Sequence, residues 1–270
     1  MGVSSKPAHF VFVHGGGHGA WCWYKTVDLL RRAGHKATAV DLISCGRDHT
    51  DPNHVESFLD YNEPLMELLS NLPDNDKIIL VGHDLGGLSV TYAMEHFHDK
   101  ISAAVFLAAM MLPSGYPLTF DVRFLPPTSP PPSLLSSKAA YIEYTFGDGV
   151  QNIPTSLYVM EKVQAEVFYH LSPSEDVVLA SLLSKPIPLR ILDGSTIEFT
   201  PEKHGKIPRV YIKTLHDRVL GPPEAQEEAF LCDPDNEPTE VREINSDHSA
   251  FFSATKELHQ HLVEIAAKYT

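Results

Sequence analysis

The chain has 270 residues, 43% of them hydrophobic, with a formal net charge of −14, which suits one large globular domain with a sizeable core. That acidic balance, without a basic run, argues against nucleic acid and anionic membrane as partners. Cys22, Cys45 and Cys232 show neither metal spacing nor a disulfide framework, so a reducing compartment and no metal or cofactor are expected.

The opening, Met1-Gly2-Val3-Ser4-Ser5-Lys6, has no apolar signal core, and Lys6 breaks the myristoylation pattern. No apolar run approaches membrane-spanning length, so the expected location is cytoplasmic. His9 to His14 then reads as a short strand, followed by Gly15-Gly16-Gly17-His18-Gly19. Neither the P-loop nor the dinucleotide pattern is met there. The remaining use is a loop whose bare N–H groups approach a substrate, as in the segment that supplies half of an oxyanion hole. Trp23 to Ala33 reads as a helix with Val27, Leu29 and Leu30 inward, and Ala37 to Val40 as the next strand. A helix is expected over Val55 to Leu72, with Phe58, Leu59, Leu65, Leu68 and Leu69 as its apolar stripe. Pro73-Asp74-Asn75-Asp76 ends it in turn chemistry.

Ile78-Ile79-Leu80-Val81-Gly82-His83-Asp84-Leu85-Gly86-Gly87 is the segment that organises the rest. An apolar β-branched run breaks into small and polar residues and then opens a helix, Gly86 to Phe97. That is the form of a nucleophile elbow, G-x-S-x-G, whose sharp turn lifts one side chain above a sheet. The lifted position here holds Asp84. Ile101 to Ala109 is a further buried strand, and alternation at this spacing implies crossovers and a mainly parallel, doubly covered sheet.

From Met110 to about Pro188 the chain turns rich in proline and aromatics, including Pro126, Pro127, Pro130, Pro131 and Pro132. With helices expected over Leu157 to Tyr169 and Ser174 to Leu183, residues 110–188 read as a helical cap inserted into one α/β domain spanning 1–270. Ser172-Pro173-Ser174-Glu175 supplies start signals for the second helix. The sheet resumes over Arg209 to Lys213, followed by a helix from Pro222 to Leu231 and a strand from Glu240 to Ile244. Lys256 to Lys268 closes the chain as an amphipathic helix.

Asp84, Asp217 and His248 then fall at the C-terminal ends of separate strands, the edge where open α/β sheets gather ligands. Their order matches the nucleophile, acid and base of the hydrolase fold, with Asp217 placed to hold one tautomer of His248. Asp48, His83 and His216 lack such placement and read as structural.

Almost the whole chain resembles the plant methylesterase group of α/β-hydrolases, which includes polyneuridine aldehyde esterase and is kin to the hydroxynitrile lyases. The matching residues include His9 to Gly16, His18-Gly19-Ala20-Trp21, Gly34 to Leu42, Gly82 to Gly87, Ala104 to Ala109 and Asp247-His248. The resemblance implies an α/β-hydrolase fold and an oxyanion hole made by the backbone amides of Gly16 and Leu85. It also implies Asp217 as acid, His248 as base, a capped apolar pocket for a small metabolite, and a homodimer. The departures are specific. The family nucleophile is Ser where this chain has Asp84. Gly15 and Ser249 stand where the hydroxynitrile lyases carry Thr and Lys, which argues against cyanohydrin cleavage.

A carboxylate attacking an ester carbonyl would give an anhydride and be expelled, so four readings of Asp84 follow. It is a nucleophile toward saturated carbon, as in epoxide hydrolases and dehalogenases, with Tyr141, Tyr144, Tyr158 and Tyr169 available to aid a leaving group. Or Asp84 and His248 form an acid–base pair acting on a small aldehyde, enol or ester, such as an iridoid or alkaloid intermediate, as a cyclase, isomerase or lyase. Or the pocket binds a ligand without chemistry. Or Asp84 replaces Ser in an engineered esterase. The acid–base reading leads, with hydrolysis of esters or epoxides next.

Overall fold

Strands that are apolar on both faces need cover on both, and that requirement sets the layering of this molecule. The computed structural model describes residues 7–73, 75–119 and 142–270. Six strands form the central sheet: β1 (His9–Val13), β2 (Lys36–Val40), β3 (Ile78–Asp84), β4 (Ile101–Ala109), β10 (Arg209–Thr214) and β11 (Glu240–Ile244). Their order is β11-β10-β4-β3-β1-β2, and every pairing is parallel. The expected parallel α/β-hydrolase sheet is present.

Alternate strand residues feed two cores. Phe10, Phe12, Val81 and Val105 pack with α1 (Tyr24–Arg32), α7 (Ala250–Ser253) and α8 (Thr255–Tyr269). Val11, Val13, Leu80 and Phe106 pack with α2 (Phe58–Ser70), α3 (Gly86–His96) and α6 (Pro223–Phe230). Each fully buried side chain of this kind contributes about 1.5–3 kcal/mol of transfer free energy.

Helix α2 starts three residues later than its apolar pattern suggests. The Ser57 hydroxyl accepts the Asp60 N–H at 3.1 Å, so the first turn is capped there, and Val55 is extended. Phe58, Tyr61, Leu65 and Leu69 face the core, whereas Leu59 lies about 100° round the helix from Phe58 and is 57% exposed. The Leu59 expectation is corrected accordingly. Ser57→Ala is expected to lower stability by about 1 kcal/mol, measurable by denaturant unfolding; an unchanged midpoint would contradict the cap.

Between β4 and β10 the described chain leaves the sheet. It forms β5 (Pro117–Thr119) paired with β9 (Asp193–Thr196), and a second small sheet from β6 (Ile142–Thr145), β7 (Ser156–Val159) and β8 (Ile187–Pro188). Both are antiparallel. The helix expected from Leu157 therefore begins only after β7, as α4 (Glu161–Val163) running into a π-helical turn, Gln164–Phe168. Leu157-Tyr158-Val159 suits a pleated surface, and pairing with β6 and β8 overrides the helical spacing. Helix α5 (Ser174–Leu183) has the expected bounds, but its start has no side-chain cap, and the Ser172 hydroxyl donates to Asp247 at 2.9 Å instead. The cluster Pro126 to Pro132, Tyr141, Asp74 and the opening Met1 to Lys6 lie outside the described residues. Among the described residues, no helix is long and apolar enough to cross a membrane.

Candidate active site

The elbow is built by a strand that ends in strain. Asp84, the last residue of β3, has φ +51°, a left-handed conformation that costs a non-glycine residue about 1–2 kcal/mol. Parallel pairing of β3 on both sides and the immediate start of α3 hold it there. The turn closes because Gly86 lies under the end of β1: a Cβ on Gly86 would sit 2.6 Å from the His14 carbonyl oxygen and 2.8 Å from that of Val13. These are backbone atoms and cannot step aside.

The Asp84 carboxylate then meets the loop Gly15–Gly19. Its Oδ2 accepts the Gly16 N–H at 3.0 Å, so one of the two amides expected for an oxyanion already holds an anion of the protein's own. Gly15 is packed against the same side chain, with a Cβ there falling 2.7 Å from both Asp84 Cβ and Oδ2. Gly15→Ala is therefore expected to push Asp84 off the Gly16 amide and to lose most Asp84-dependent turnover while the fold persists. Assay together with circular dichroism reads this, and full activity would contradict the contact. Leu85, the other expected contributor, stands at the head of α3, where a helix start leaves N–H groups unpaired.

His248 comes from the loop after β11, and Asp217 from the loop after β10. Backbone bonds from Leu215 N–H to Ile244 O (3.0 Å) and from His216 N–H to Ser246 O (3.0 Å) hold the two loops side by side. Asp217 Oδ2 accepts the His248 Nδ1–H at 2.8 Å and the Thr214 hydroxyl at 2.7 Å. Its Oδ1 accepts the N–H groups of Val219 (2.7 Å) and Leu220 (2.9 Å). With Nδ1 engaged, Nε2 faces the elbow, 4.0 Å from Asp84 Oδ1, beyond hydrogen-bond reach and without a hydrogen-bond partner among the described residues. Sequence reasoning brings Asp84, Asp217, His248, Gly16 and Leu85 to one place, and the structure does the same.

Four histidines crowd this site, and burial treats them differently from His248. His14, His18 and His83 are buried, which pushes all three down, His18 to about 3. Burial opposes charging of His248 as well, but the charge and hydrogen bond of Asp217, then Asp84 and Asp247, hold it above the ordinary histidine value. Burial would raise Asp217, yet the His248 charge and the donors around it hold that carboxyl below the usual range. His248 is thus the one ring of the four set to carry a proton.

Residues that the sequence reading passed over complete the surroundings. His18 donates Nδ1–H to the Gly16 carbonyl at 2.9 Å, so its Nε2 accepts the Tyr169 hydroxyl at 2.7 Å. His83 donates Nε2–H to the His248 carbonyl at 3.0 Å, which agrees with a structural reading. His216 bonds Asn245, and Asp48 accepts from Ser44 and Thr50, and none of these bonds involves Asp84. The Phe168 ring stands 5.5 Å from the His248 ring. His18 and Asp247 lie inside the matching motifs and Tyr169 among the available tyrosines, so the signal for their places was spatial rather than sequential. A concavity of about 380 Å³ lined by residues between Glu161 and Ser181 shares Tyr169 with the site, but is not lined by Asp84, Asp217 or His248. Among the described residues, no group of three His, Cys, Asp or Glu could hold a metal ion.

The family model described as the alpha/beta hydrolase family matches residues 10–260. Methylesterase 18 of Arabidopsis thaliana is 43% identical over 261 residues, covering 96% of this chain and 97% of that protein. The chain is a plant methylesterase-like α/β-hydrolase. The solved methylesterase MES16 from Arabidopsis is 39% identical, with TM-score 0.81 over 96% of this chain and 99% of that one. Tomato methylketone synthase I, solved with 2-tridecanone, is 36% identical, with TM-score 0.83 over 98% of this chain and 100% of that chain. This α/β-hydrolase therefore has neighbours named for ester cleavage and one named for making methyl ketones.

Proposed function

We propose that this enzyme transfers protons on a small, largely apolar carbonyl compound, with Asp84 and His248 as the acid–base pair and no acyl-enzyme. In this reading residues 110–188 act as a cap over the site. One observation carries it: the Asp84 carboxylate occupies the Gly16 amide. An ester's tetrahedral oxyanion would need that N–H, and a second anion placed beside Asp84 would be repelled. The same carboxylate stands 4.0 Å from an unpartnered imidazole nitrogen, a gap that a substrate hydroxyl or enol can bridge. An isomerase, cyclase or lyase of plant specialised metabolism, with an aldehyde, enol or ester such as an iridoid or alkaloid intermediate as substrate, fits this chemistry. The tomato neighbour is named for a synthase reaction, which supports a non-esterase outcome on this scaffold.

Hydrolysis is the second reading, and the methylesterase names of the relatives favour it. The geometry allows one covalent form of it. If Asp84 Oδ1 attacks a saturated carbon, as of an epoxide, the resulting alkyl ester already has its other oxygen on the Gly16 amide, and His248 can deliver water. The Tyr169 hydroxyl, spent on His18, is not free to assist that leaving group.

A single turnover in H₂¹⁸O separates these routes. Proton transfer leaves both Asp84 and product without ¹⁸O but incorporates solvent deuterium in D₂O. Alkyl-enzyme hydrolysis puts ¹⁸O into Asp84, and direct ester hydrolysis puts it into the released acid. Label in Asp84 would sink the acid–base proposal. The pH dependence carries a sign as well. With imidazolium as the acid, activity is present below the raised His248 value and is lost as pH rises through it, at a pH above 6.5. A rate that climbs through that range would assign His248 as the base.

A further inference from the structure

Asp247, next to His248 in the chain, is completely buried and forms no ion pair among the described residues. Four neutral donors satisfy it. Oδ1 accepts the Ser249 N–H at 3.0 Å, from its own loop, and the Ser253 hydroxyl at 2.7 Å, from the end of α7. Oδ2 accepts the Leu171 N–H at 2.8 Å and the Ser172 hydroxyl at 2.9 Å, both from the cap. A carboxylate has about four acceptor positions, and all four are taken.

Local turn chemistry accounts for Oδ1 alone, because a side-chain oxygen that accepts from the residue two places on is an Asx turn, which Asn forms equally well. Oδ2 reaches a segment of the chain far away in sequence. That segment, residues 168–172, meets the site at two further points, the second of which is relayed onward. Phe168 places its ring against His248, Tyr169 donates to His18, and His18 in turn donates to the Gly16 carbonyl. The roof over His248 is therefore fastened at its far end by Asp247. Burying a carboxylate with no cation is costly, and a helix start of four residues does not require it.

We propose that Asp247 is a positioning residue that clamps the cap segment 168–172 over His248 and keeps water from the proton shared by His248 and Asp217. Its catalytic consequence rests on the acid–base reading, whereas the clamp itself rests on geometry alone. Asn at position 247 keeps an oxygen for Ser249 and Ser253 but turns an NH₂ group toward the Leu171 N–H, setting donor against donor.

The test uses the full chain and three variants, Asp247→Asn, Ser172→Ala and Asp84→Ala. It reads the Leu171 amide exchange rate, the low-field NMR resonance of the His248 Nδ1 proton, and kcat and KM. Asp247→Asn is expected to speed Leu171 exchange at least tenfold, to broaden the low-field resonance into solvent, and to lower kcat more than it changes KM. Ser172→Ala, which keeps the carboxylate and removes one cap bond, is expected to speed Leu171 exchange severalfold. Asp84→Ala is expected to leave Leu171 exchange unchanged. If Asp247→Asn keeps both the exchange rate and the sharp resonance, the clamp is wrong. If that variant does not fold, unchanged Leu171 exchange in Ser172→Ala overturns it. Retained turnover in Asp84→Ala would defeat the acid–base reading and leave the clamp to be judged on the two NMR measurements.

Discussion

Asp84→Ser is expected to raise the hydrolysis of a small methyl ester by on the order of 10³-fold over the parent, while turnover of the natural substrate falls to background. The gain has two sources. Removing the carboxylate frees the Gly16 N–H that it now occupies, and a single oxyanion donor is worth about 10²–10³ in rate. The new hydroxyl would also sit beneath His248 Nε2, which is buried, unpartnered and already steadied by Asp217. Asp84→Asn is the companion variant: it keeps the shape and an oxygen for Gly16 but removes the charge, and no rise in ester hydrolysis is expected from it. Steady-state assays with a chromogenic methyl or acetyl ester decide the matter. If Asp84→Ser hydrolyses the ester no faster than the parent, the amide at Gly16 is not an oxyanion seat, and another reason must be found for the absence of acyl transfer.

Asp217→Asn is expected to lower kcat by on the order of 10²–10⁴ and stability by about 3–5 kcal/mol. The carboxamide oxygen can still take the N–H groups of Val219 and Leu220, but its NH₂ then faces the Nδ1–H of His248. The imidazole must give up that proton, leaving a neutral ring whose Nε2–H is a far weaker acid, or turn away, and either change removes the imidazolium aimed at the substrate. His248 should then titrate below its value in the parent, because burial is opposed by one carboxylate fewer. Stability against pH follows the same pair. The His248 contribution is complete below 6.5 and is lost as pH rises through its raised folded value. The Asp217 contribution is present above 3.8 and is lost as pH falls through its lowered folded value. Denaturant unfolding across pH should therefore show a maximum between the two that is flattened in Asp217→Asn. A variant with parent-like kcat would place the acid elsewhere.

The sheet and elbow are legible in the chain because their signals are local. Ile78 to Val81 is an unbroken buried strand, and Gly82, Asp84 and Gly86 mark the turn within a few residues. The site triad is legible for a related reason, since each member ends a strand, and a parallel sheet delivers strand ends to one edge. The rest depends on partners distant in sequence. Leu157 to Val159 has the apolar content of a helix or a strand alike, and only β6 and β8 decide between them. Ser172 reads as a helix cap until Asp247 claims its hydroxyl. That Oδ2 of Asp84 rests on Gly16 N–H is a matter of 3.0 Å across 68 positions of chain, which no spacing rule encodes.

The close fit of Gly86 beneath His14 and Val13 has a bearing on how such enzymes diversify. Strand β3, the end of β1 and the first turn of α3 meet closely through main-chain atoms, and none of those contacts involves the side chain at position 84. The protruding group can therefore be exchanged while its pedestal stands still. A lineage holding this framework has one interchangeable tool tip, and a codon change there suffices to try a different reaction on whatever compound reaches it.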